Sequence, residues 1–203
     1  MKSIILAAGT GSRLMPYTKN TPKSLVDLKG CSMLKTQLEI FKNFNVESFV
    51  VGGYLIDKIK EVHDNVYENK DYINTNMIYT LFIAKEQFDT DIIISYGDIM
   101  YTKETLKTIM DSDHDLSVAV DSNWKDYWTN RFENPLDDLE TLLIEDNSIK
   151  EIGNKADSYE KIQGQFMGLI KISKNFIKTF NQVYDDCAKK GFINNKNYKK
   201  AYM

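Results

Sequence analysis

No apolar run in this 203-residue chain approaches the roughly 20 residues that a membrane-spanning helix needs. The first apolar stretch, Ile4 to Ala8, is also too short for the hydrophobic region of a signal peptide, and Gly-Ser-Arg follows it at once. Cysteine is scarce: Cys31 and Cys187 have neither metal-binding nor redox spacing, so both are expected to pack as small hydrophobes in a reducing cytoplasm. Histidine is as scarce, and His63 and His114 stand apart, which suits surface or capping roles better than catalysis. There is no basic excess: 26 Lys and Arg against 29 Asp and Glu leave a net charge of −3, which argues against a nucleic-acid polymer as partner. No linker, internal repeat or low-complexity tract interrupts the chain, so one domain over 1–203 is the expectation. At 42% hydrophobic and 27% charged residues, the composition is that of a globular protein able to bury one good core.

What is present concentrates at the start: Ile4-Ile5-Leu6-Ala7-Ala8-Gly9-Thr10-Gly11-Ser12-Arg13-Leu14, then Pro16, Thr18 and Thr21-Pro22-Lys23-Ser24-Leu25. The apolar run reads as a buried strand. It ends in small residues and two glycines, where the backbone can approach a ligand closely. Successive N–H groups in such a turn form an anion-binding concavity. Arg13 adds a planar fork for phosphate oxygens and Lys23 a mobile point charge. Together they suit a polyphosphate. The dinucleotide fingerprint is excluded, because its last glycine or alanine is replaced by Leu14. The P-loop is excluded for want of a Gly-Lys-Ser/Thr run.

The first half alternates strand and helix patterns. Ser32 is placed to cap a helix carrying Leu34, Leu38 and Phe41 on one face. Phe49 to Val51 reads as a strand ending at Gly52-Gly53, Tyr54 to Glu61 and Ile78 to Phe88 as helices, and Asp91 to Tyr96 as a strand closing at Gly97-Asp98. Thr102 to Met110 is a further helix. This order predicts an α/β protein whose mainly parallel sheet carries helices on both faces, with ligands bound at the carboxyl ends of the strands. The signature loop, Gly53 and Asp98 all fall at such ends. Later, Asp115 to Val120 reads as a strand. Residues 122 to 138 are rich in aromatics, charge and turn formers. Thr141 to Glu145 and Ile149 to Ile152 form a predicted hairpin across Asp146-Asn147-Ser148. Gly164 to Ile172 is a predicted strand, Asn175 to Lys189 a helix, and the polar, basic residues 191 to 203 are expected to be poorly ordered.

The pattern Leu-Ala-Ala-Gly-x-Gly-x-Arg-Leu-x-Pro-x-Thr, then Pro-Lys-x-Leu, resembles the signature of the sugar-phosphate nucleotidylyltransferases and related cytidylyltransferases. Within that superfamily, three segments are most similar to cytidylyltransferases acting on phosphocholine or phosphoglutamine. They are Asn76 to Leu81, Ser95 to Asp98, and Tyr127 to Pro135. The resemblance implies a Rossmann-like three-layer sandwich of the nucleotidyltransferase type with a β-hairpin insertion in its second half. It implies nucleotidyl transfer from a nucleoside triphosphate, CTP by the subfamily likeness, to a small phosphorylated metabolite, with release of pyrophosphate. The expected setting is the cytoplasm and the expected use surface-glycan decoration, with neither a membrane nor a nucleic acid as partner. A sugar-1-phosphate nucleotidylyltransferase and a non-catalytic nucleotide-binding or regulatory domain stand as alternatives.

By the same resemblance, the backbone of Ala8, Gly9, Thr10 and Gly11 cradles phosphate, Arg13 neutralises the leaving pyrophosphate and Lys23 bridges the α-phosphate and the incoming phosphate. Asp98 holds Mg²⁺, which prefers one or two carboxylates with phosphates and water; on its dipeptide alone, Asp98 is an ordinary turn aspartate. No catalytic base is required, since a phosphate monoester has a second pKa of about 6. Base recognition involves Leu6, Ala7, Gly53 and Thr80, although Thr80 fits equally a helix-interior threonine bonded to its own preceding turn. For the acceptor, Trp124, Tyr127, Trp128 and Phe132 offer either an aromatic cage or a helix's core face. Arg131 offers a partner for a carboxylate. Gln165 offers a polar contact or is an exposed strand residue. Relatives continue into a strand bearing another metal-binding carboxylate, for which Asn197 to Met203 resembles the entry. The chain is therefore expected to lack the family's C-terminal segment.

Overall fold

The first strand, β1 (Lys2–Ala7), organises the fold. In a computed structural model, which describes residues 1–190, the chain continues through a small hairpin of β2 (Asp27–Leu28) and β3 (Cys31–Ser32). Next come α1 (Met33–Asn43), β4 (Glu47–Gly52), α2 (Ile56–Lys60), β5 (Val66–Glu68) and α3 (Met77–Ile83). They are followed by β6 (Ile92–Tyr96), α4 (Lys103–Met110), β7 (Leu116–Asp121) and α5 (Trp124–Arg131). The last elements are β8 (Glu140–Glu145), β9 (Ser148–Lys155), β10 (Gln165–Ile172) and α6 (Ile177–Lys189). The expectations for residues 191 to 203 lie outside the described residues.

Among the described residues two compact units result, one of Met1–Ser117 with residues 168–190, the other Val118–Met167. In the first, the strand order runs β5-β4-β1-β6-β10; β7 follows β10 in the order, and these two strands carry the chain between the units. β1 pairs in parallel with β4 on one side and β6 on the other, and β4 pairs in parallel with β5. β10 returns antiparallel to β6, so the sheet is mixed but mainly parallel, as the alternating pattern predicts. Alternation along β1 sends Ile4 to one face and Ile5 to the other. Both are fully buried, as a sheet covered on both faces requires. Ile4 shares its core with Val51, Leu81, Phe82, Phe88, Ile94 and Ile177, drawn from β4, α3, the turn after α3, β6 and α6.

Helices α1, α3 and α4 start where the sequence supplies a cap. Ser32, Asn76 and Thr102 each accept a hydrogen bond from the N–H three residues on, at Lys35, Tyr79 and Thr105. Helix α3 is shorter than the expected 78–88. It gives way to a 3₁₀ turn at Lys85–Gln87. Six residues of continuous α-helix would set Phe82 and Phe88 about 120° apart. The tighter turn brings both rings into one core with centroids 5.4 Å apart. Helix α2 is likewise trimmed, to Ile56–Lys60. Strand β5 and the β2–β3 hairpin, which turns through Lys29 and Gly30 at positive φ, are absent from the sequence pattern. That hairpin leaves Cys31 exposed, against expectation.

In the second unit the predicted β8–β9 hairpin forms, turning through Asp146 and Asn147, both at positive φ. A small core of Trp124, Leu139, Ala156 and Ile162 supports it, with Trp128 and Leu136 packed alongside.

Candidate active site

Strand β1 is paired on both sides as far as its last residues, so its carboxyl end opens where the sheet stops. There the first unit holds a cavity of about 570 Å³. This lies in the range typical of small-molecule sites. Leu6, Ala7, Ala8, Gly9, Thr10, Gly11, Ser12, Arg13 and Leu14 line it continuously. Lys23, Ser24, Gly97 and Asp98 join that group in the lining, and residues between Tyr72 and Thr80, with Tyr96, complete it. Every charged lining residue comes from the first group; the 72–80 segment contributes Tyr72, Thr75, Asn76, Met77 and Thr80, all uncharged.

The loop is held from outside the cavity. Gly11 turns it at φ +63, and a Cβ there would meet Lys23 Cβ and Thr18 Cγ2 at 2.9 Å. Only glycine fits both the conformation and the space. Buried Thr18 donates its hydroxyl to the Gly11 carbonyl at 2.9 Å. The Ala8 carbonyl accepts the Tyr54 N–H at 3.1 Å, and the Tyr54 hydroxyl donates to the carbonyls of Thr18 and Lys19. Loop and strand are therefore fixed before any ligand arrives. A site that needs no rearrangement loses less on binding.

Lys23 Nζ pairs with Asp98 Oδ2, although 75 residues separate them. Both side chains keep roughly a third of their surface in solvent, at 31% and 38%. Arg13 is exposed and makes no ion pair among the described residues. Asp98 sits in the turn after β6, and buried Gln37 of α1 clamps that turn. Gln37 Nε2 donates to the carbonyls of Tyr96 at 2.9 Å and Ile99 at 2.8 Å, while its Oε1 accepts the Ser95 hydroxyl at 2.9 Å. Burial pushes the phenol of Tyr101, beside Ser95, well above its usual range, so it stays a neutral member of this network.

Several sequence expectations meet here and several do not. Leu6, Ala7, Ala8, Gly9, Thr10, Gly11, Arg13, Lys23, Asp98 and Thr80 share the cavity. Gly53 is not among the lining residues. Its backbone lies against Tyr72, whose Cβ would sit 2.8 Å from a Cβ at position 53, so its smallness admits the Tyr72 side chain. The Leu6 carbonyl is already in the sheet ladder, accepting the Gly97 N–H at 2.8 Å. Thr80 shows the helix-interior geometry, its hydroxyl donating to the Asn76 carbonyl at 3.0 Å.

Of the expected acceptor residues, Lys23 lines the cavity; Trp124, Tyr127, Arg131 and Gln165 lie in the second unit and do not line it. Trp124 is 5% exposed and serves the small core, so it offers no cage wall. Gln165 is buried, not exposed, and spends its amide on the carbonyls of Glu140 and Gly164, both at 2.9 Å. Tyr127 is exposed, with the Arg131 guanidinium 5.7 Å from its ring centroid; that guanidinium also lies over Phe132. Gln37, Tyr72, Thr75 and Tyr96 escaped the sequence reading. Of these, only Tyr96, next to Gly97-Asp98, carried a positional signal.

No cluster of three or more metal-ligating side chains occurs among the described residues. Asp98 is a single carboxylate at the cavity, and Mg²⁺ accepts one carboxylate when phosphates and water supply the rest. The donor set therefore fits a metal delivered with a polyphosphate, not one caged by protein alone.

The sequence profile of the MobA-like NTP transferase domain matches residues 3–157. The CTP:phosphoglutamine cytidylyltransferase of Campylobacter jejuni is 38% identical, over 100% of this chain and 85% of its own. The choline-phosphate cytidylyltransferase of Streptococcus pneumoniae is 34% identical over 50% of this chain and 46% of its own. Among solved structures, the inositol-1-phosphate CTP transferase of T. maritima superposes with a TM-score of 0.68, covering 95% of this chain and 82% of that one. At 21% identity it shares the fold.

Proposed function

Because the chain belongs to the MobA-like NTP transferase domain family, we propose that its cavity binds CTP and transfers the cytidylyl group to a small phosphorylated metabolite of the phosphoglutamine type. A phosphate oxygen of the acceptor attacks the α-phosphorus of CTP. The bond from that phosphorus to the bridging oxygen of the β-phosphate breaks, and pyrophosphate leaves. The observation that carries this reading is the convergence of the Gly9–Gly11 loop, Arg13, Lys23 and Asp98 on one cavity at the carboxyl end of β1.

The acceptor phosphate is largely ionised near neutral pH. The chain then needs no general base, and alignment and charge stabilisation carry the catalysis. The backbone of residues 8–11 holds the phosphates. Arg13, which has no ion pair among the described residues, meets the charge that builds on pyrophosphate. Lys23 leaves Asp98 to span the α-phosphate and the incoming phosphate. Asp98 would hold Mg²⁺, which when bound neutralises phosphate charge. No helix among the described residues is long and apolar enough to cross a membrane. We place the reaction in the cytoplasm, where CTP is made, and its activated product in surface-glycan decoration.

The phosphoglutamine-type acceptor rests on the relative matched over the whole chain. The test is pyrophosphate release with each nucleoside triphosphate against phosphoglutamine, phosphocholine and hexose 1-phosphates. Release that requires CTP and an amino-acid-like phosphate supports the reading. Preference for a hexose 1-phosphate overturns the acceptor assignment. Tight nucleotide binding without turnover by any acceptor overturns catalysis.

A further inference from the structure

We propose that Asn69, which does not line the cavity, fixes Thr75 and Thr80 as hydrogen-bond acceptors toward the nucleobase. The wall thereby selects the pyrimidine that bears an amino group over the one that bears an oxo group. The inference rests on the reading of this cavity as a pyrimidine nucleotide site, and it concerns how the base is told apart.

Asn69 follows β5 directly and is 1% exposed. Its N–H donates to the Gly52 carbonyl at 2.8 Å, which pins it to the end of β4. Its Oδ1 accepts the Asp71 N–H at 3.0 Å. That bond settles which way the amide faces, since a backbone N–H cannot be paired with an NH₂ group. Nδ2 therefore points its two hydrogens elsewhere, to Thr75 Oγ1 at 3.0 Å and Thr80 Oγ1 at 2.9 Å.

Each threonine oxygen thus spends one lone pair on Asn69. Each also has a carbonyl within reach of its proton: Asp71 O at 2.8 Å from Thr75 Oγ1, and Asn76 O at 3.0 Å from Thr80 Oγ1. Turning either proton toward the cavity would leave a lone pair facing a carbonyl oxygen at that distance. Rotating the whole side chain instead would break the bond to Asn69. With the proton and one lone pair committed, each oxygen retains one lone pair and no donor. Both threonines line the cavity, in a segment that brings it no charged side chain. A ligand group meeting them must bring its own N–H. Cytosine brings an amino group where uracil brings a carbonyl, and a carbonyl there would meet oxygen with oxygen. Sites built to pair one such group reject the analogue that lacks it.

Asn69 is a positioning residue in this scheme, acting through the threonines. The experiment measures equilibrium binding of CTP and UTP, and kcat/KM for each with one acceptor, in wild type, Asn69→Leu, Thr80→Val, Thr80→Ser and the Asn69→Leu/Thr80→Val pair. The expected result is a fall in the CTP-to-UTP ratio of about tenfold or more in Thr80→Val and in Asn69→Leu, the size of one buried pairing. Thr80→Ser keeps the ratio, because it keeps the hydroxyl. Adding Asn69→Leu to Thr80→Val should lower the ratio by less than it does alone, with Thr75 accounting for the remainder. A merely structural role for Asn69 would weaken both nucleotides alike and leave the ratio fixed. An unchanged ratio in both Asn69→Leu and Thr80→Val, with CTP still turned over by the wild type, overturns this inference and leaves the proposed function standing. If Asn69→Leu does not fold, the ratio in Thr80→Val decides alone. Wild-type protein that binds neither pyrimidine nucleotide overturns the proposed function itself.

Discussion

Replacing Gln37 by leucine tests whether the turn that presents Asp98 is held from beneath. Leucine matches the volume of glutamine closely but has no polar atoms. The change removes the donors to the carbonyls of Tyr96 and Ile99, and the acceptor of the Ser95 hydroxyl. Ser95 can compensate in part, since its hydroxyl also lies 3.4 Å from the Tyr96 carbonyl and 3.3 Å from the Tyr101 phenol. The Ile99 carbonyl has no such second partner in this network. A buried polar group left unpaired costs about 1–3 kcal/mol. With one group stranded and one half-satisfied, the loss of stability should be roughly 2–4 kcal/mol. The same loss frees the Gly97-Asp98 turn, and misplacing a catalytic group by about 1 Å can lower turnover about a hundredfold. Urea unfolding measures the first effect; turnover across a magnesium titration measures the second. A stability loss of the expected size with wild-type kcat and an unchanged magnesium curve would show that the clamp serves the fold alone. Unchanged stability would refute the hydrogen-bond argument at its root.

Arg13→Ala and Lys23→Ala should each lower turnover by about 10²–10³ with the thermal midpoint nearly unchanged, because both are solvent-accessible cations in no core cluster; wild-type turnover in either refutes its role. The two loop glycines should part company. Gly11→Ala combines a left-handed φ with contacts at 2.9 Å and should destabilise by about 1–3 kcal/mol in urea unfolding. Gly9→Ala meets nothing within 4 Å, so the fold should tolerate it while the nucleotide KM rises. An unchanged KM there would place the phosphates away from this loop. Asp98→Asn should bind metal-free CTP at least as tightly as wild type by calorimetry and lose most of the gain that magnesium brings. Weaker metal-free binding would contradict the pairing described above.

The part of the cavity formed by the loop after β1 was legible in the sequence because it is built from chain geometry. An apolar strand that ends in Ala-Ala-Gly-x-Gly states both its burial and its turn, and Asp98 ends a second apolar strand in the same way. Two such ends in a parallel sheet must lie side by side, so Lys23 and Asp98 could be expected in one crevice across 75 residues. Gln37 was not legible. Its position in α1 is core-facing, but a polar side chain there breaks the apolar period, and its partners are carbonyls of a distant turn. Asn69 was hidden for a similar reason. Nothing about Glu-Asn-Lys-Asp distinguishes a buried hub from a surface loop. The aromatic segment from Trp124 to Phe132 misled in part, because helical spacing describes a cage and a core face equally well. Burial of Trp124 against Leu139, Ala156 and Ile162 assigns it to the core, while Tyr127 and Arg131 remain at the surface.

The pairing of Lys23 with Asp98 bears on why one carboxylate is enough. Each is the other's counterion in the free protein, and at their exposure such a pair holds only weakly. A bare triphosphate offers a new partner to Lys23 but sets its negative charge beside Asp98. A bare cation does the reverse, satisfying Asp98 while facing the ammonium. A cation already bound to the triphosphate satisfies both groups in a single event and leaves neither charge stranded. On the proposed reading, the site would discriminate by composition: it would oppose either component alone and accept the two together. Arg13, which has no acidic partner to surrender among the described residues, would supply attraction for the phosphates from the outset. This arrangement needs no preformed metal cage, consistent with the lack of a carboxylate cluster among the described residues. It also requires that loss of either partner remove the opposition as well as the attraction. That is why Asp98→Asn is expected to improve metal-free nucleotide binding even as it weakens the response to magnesium.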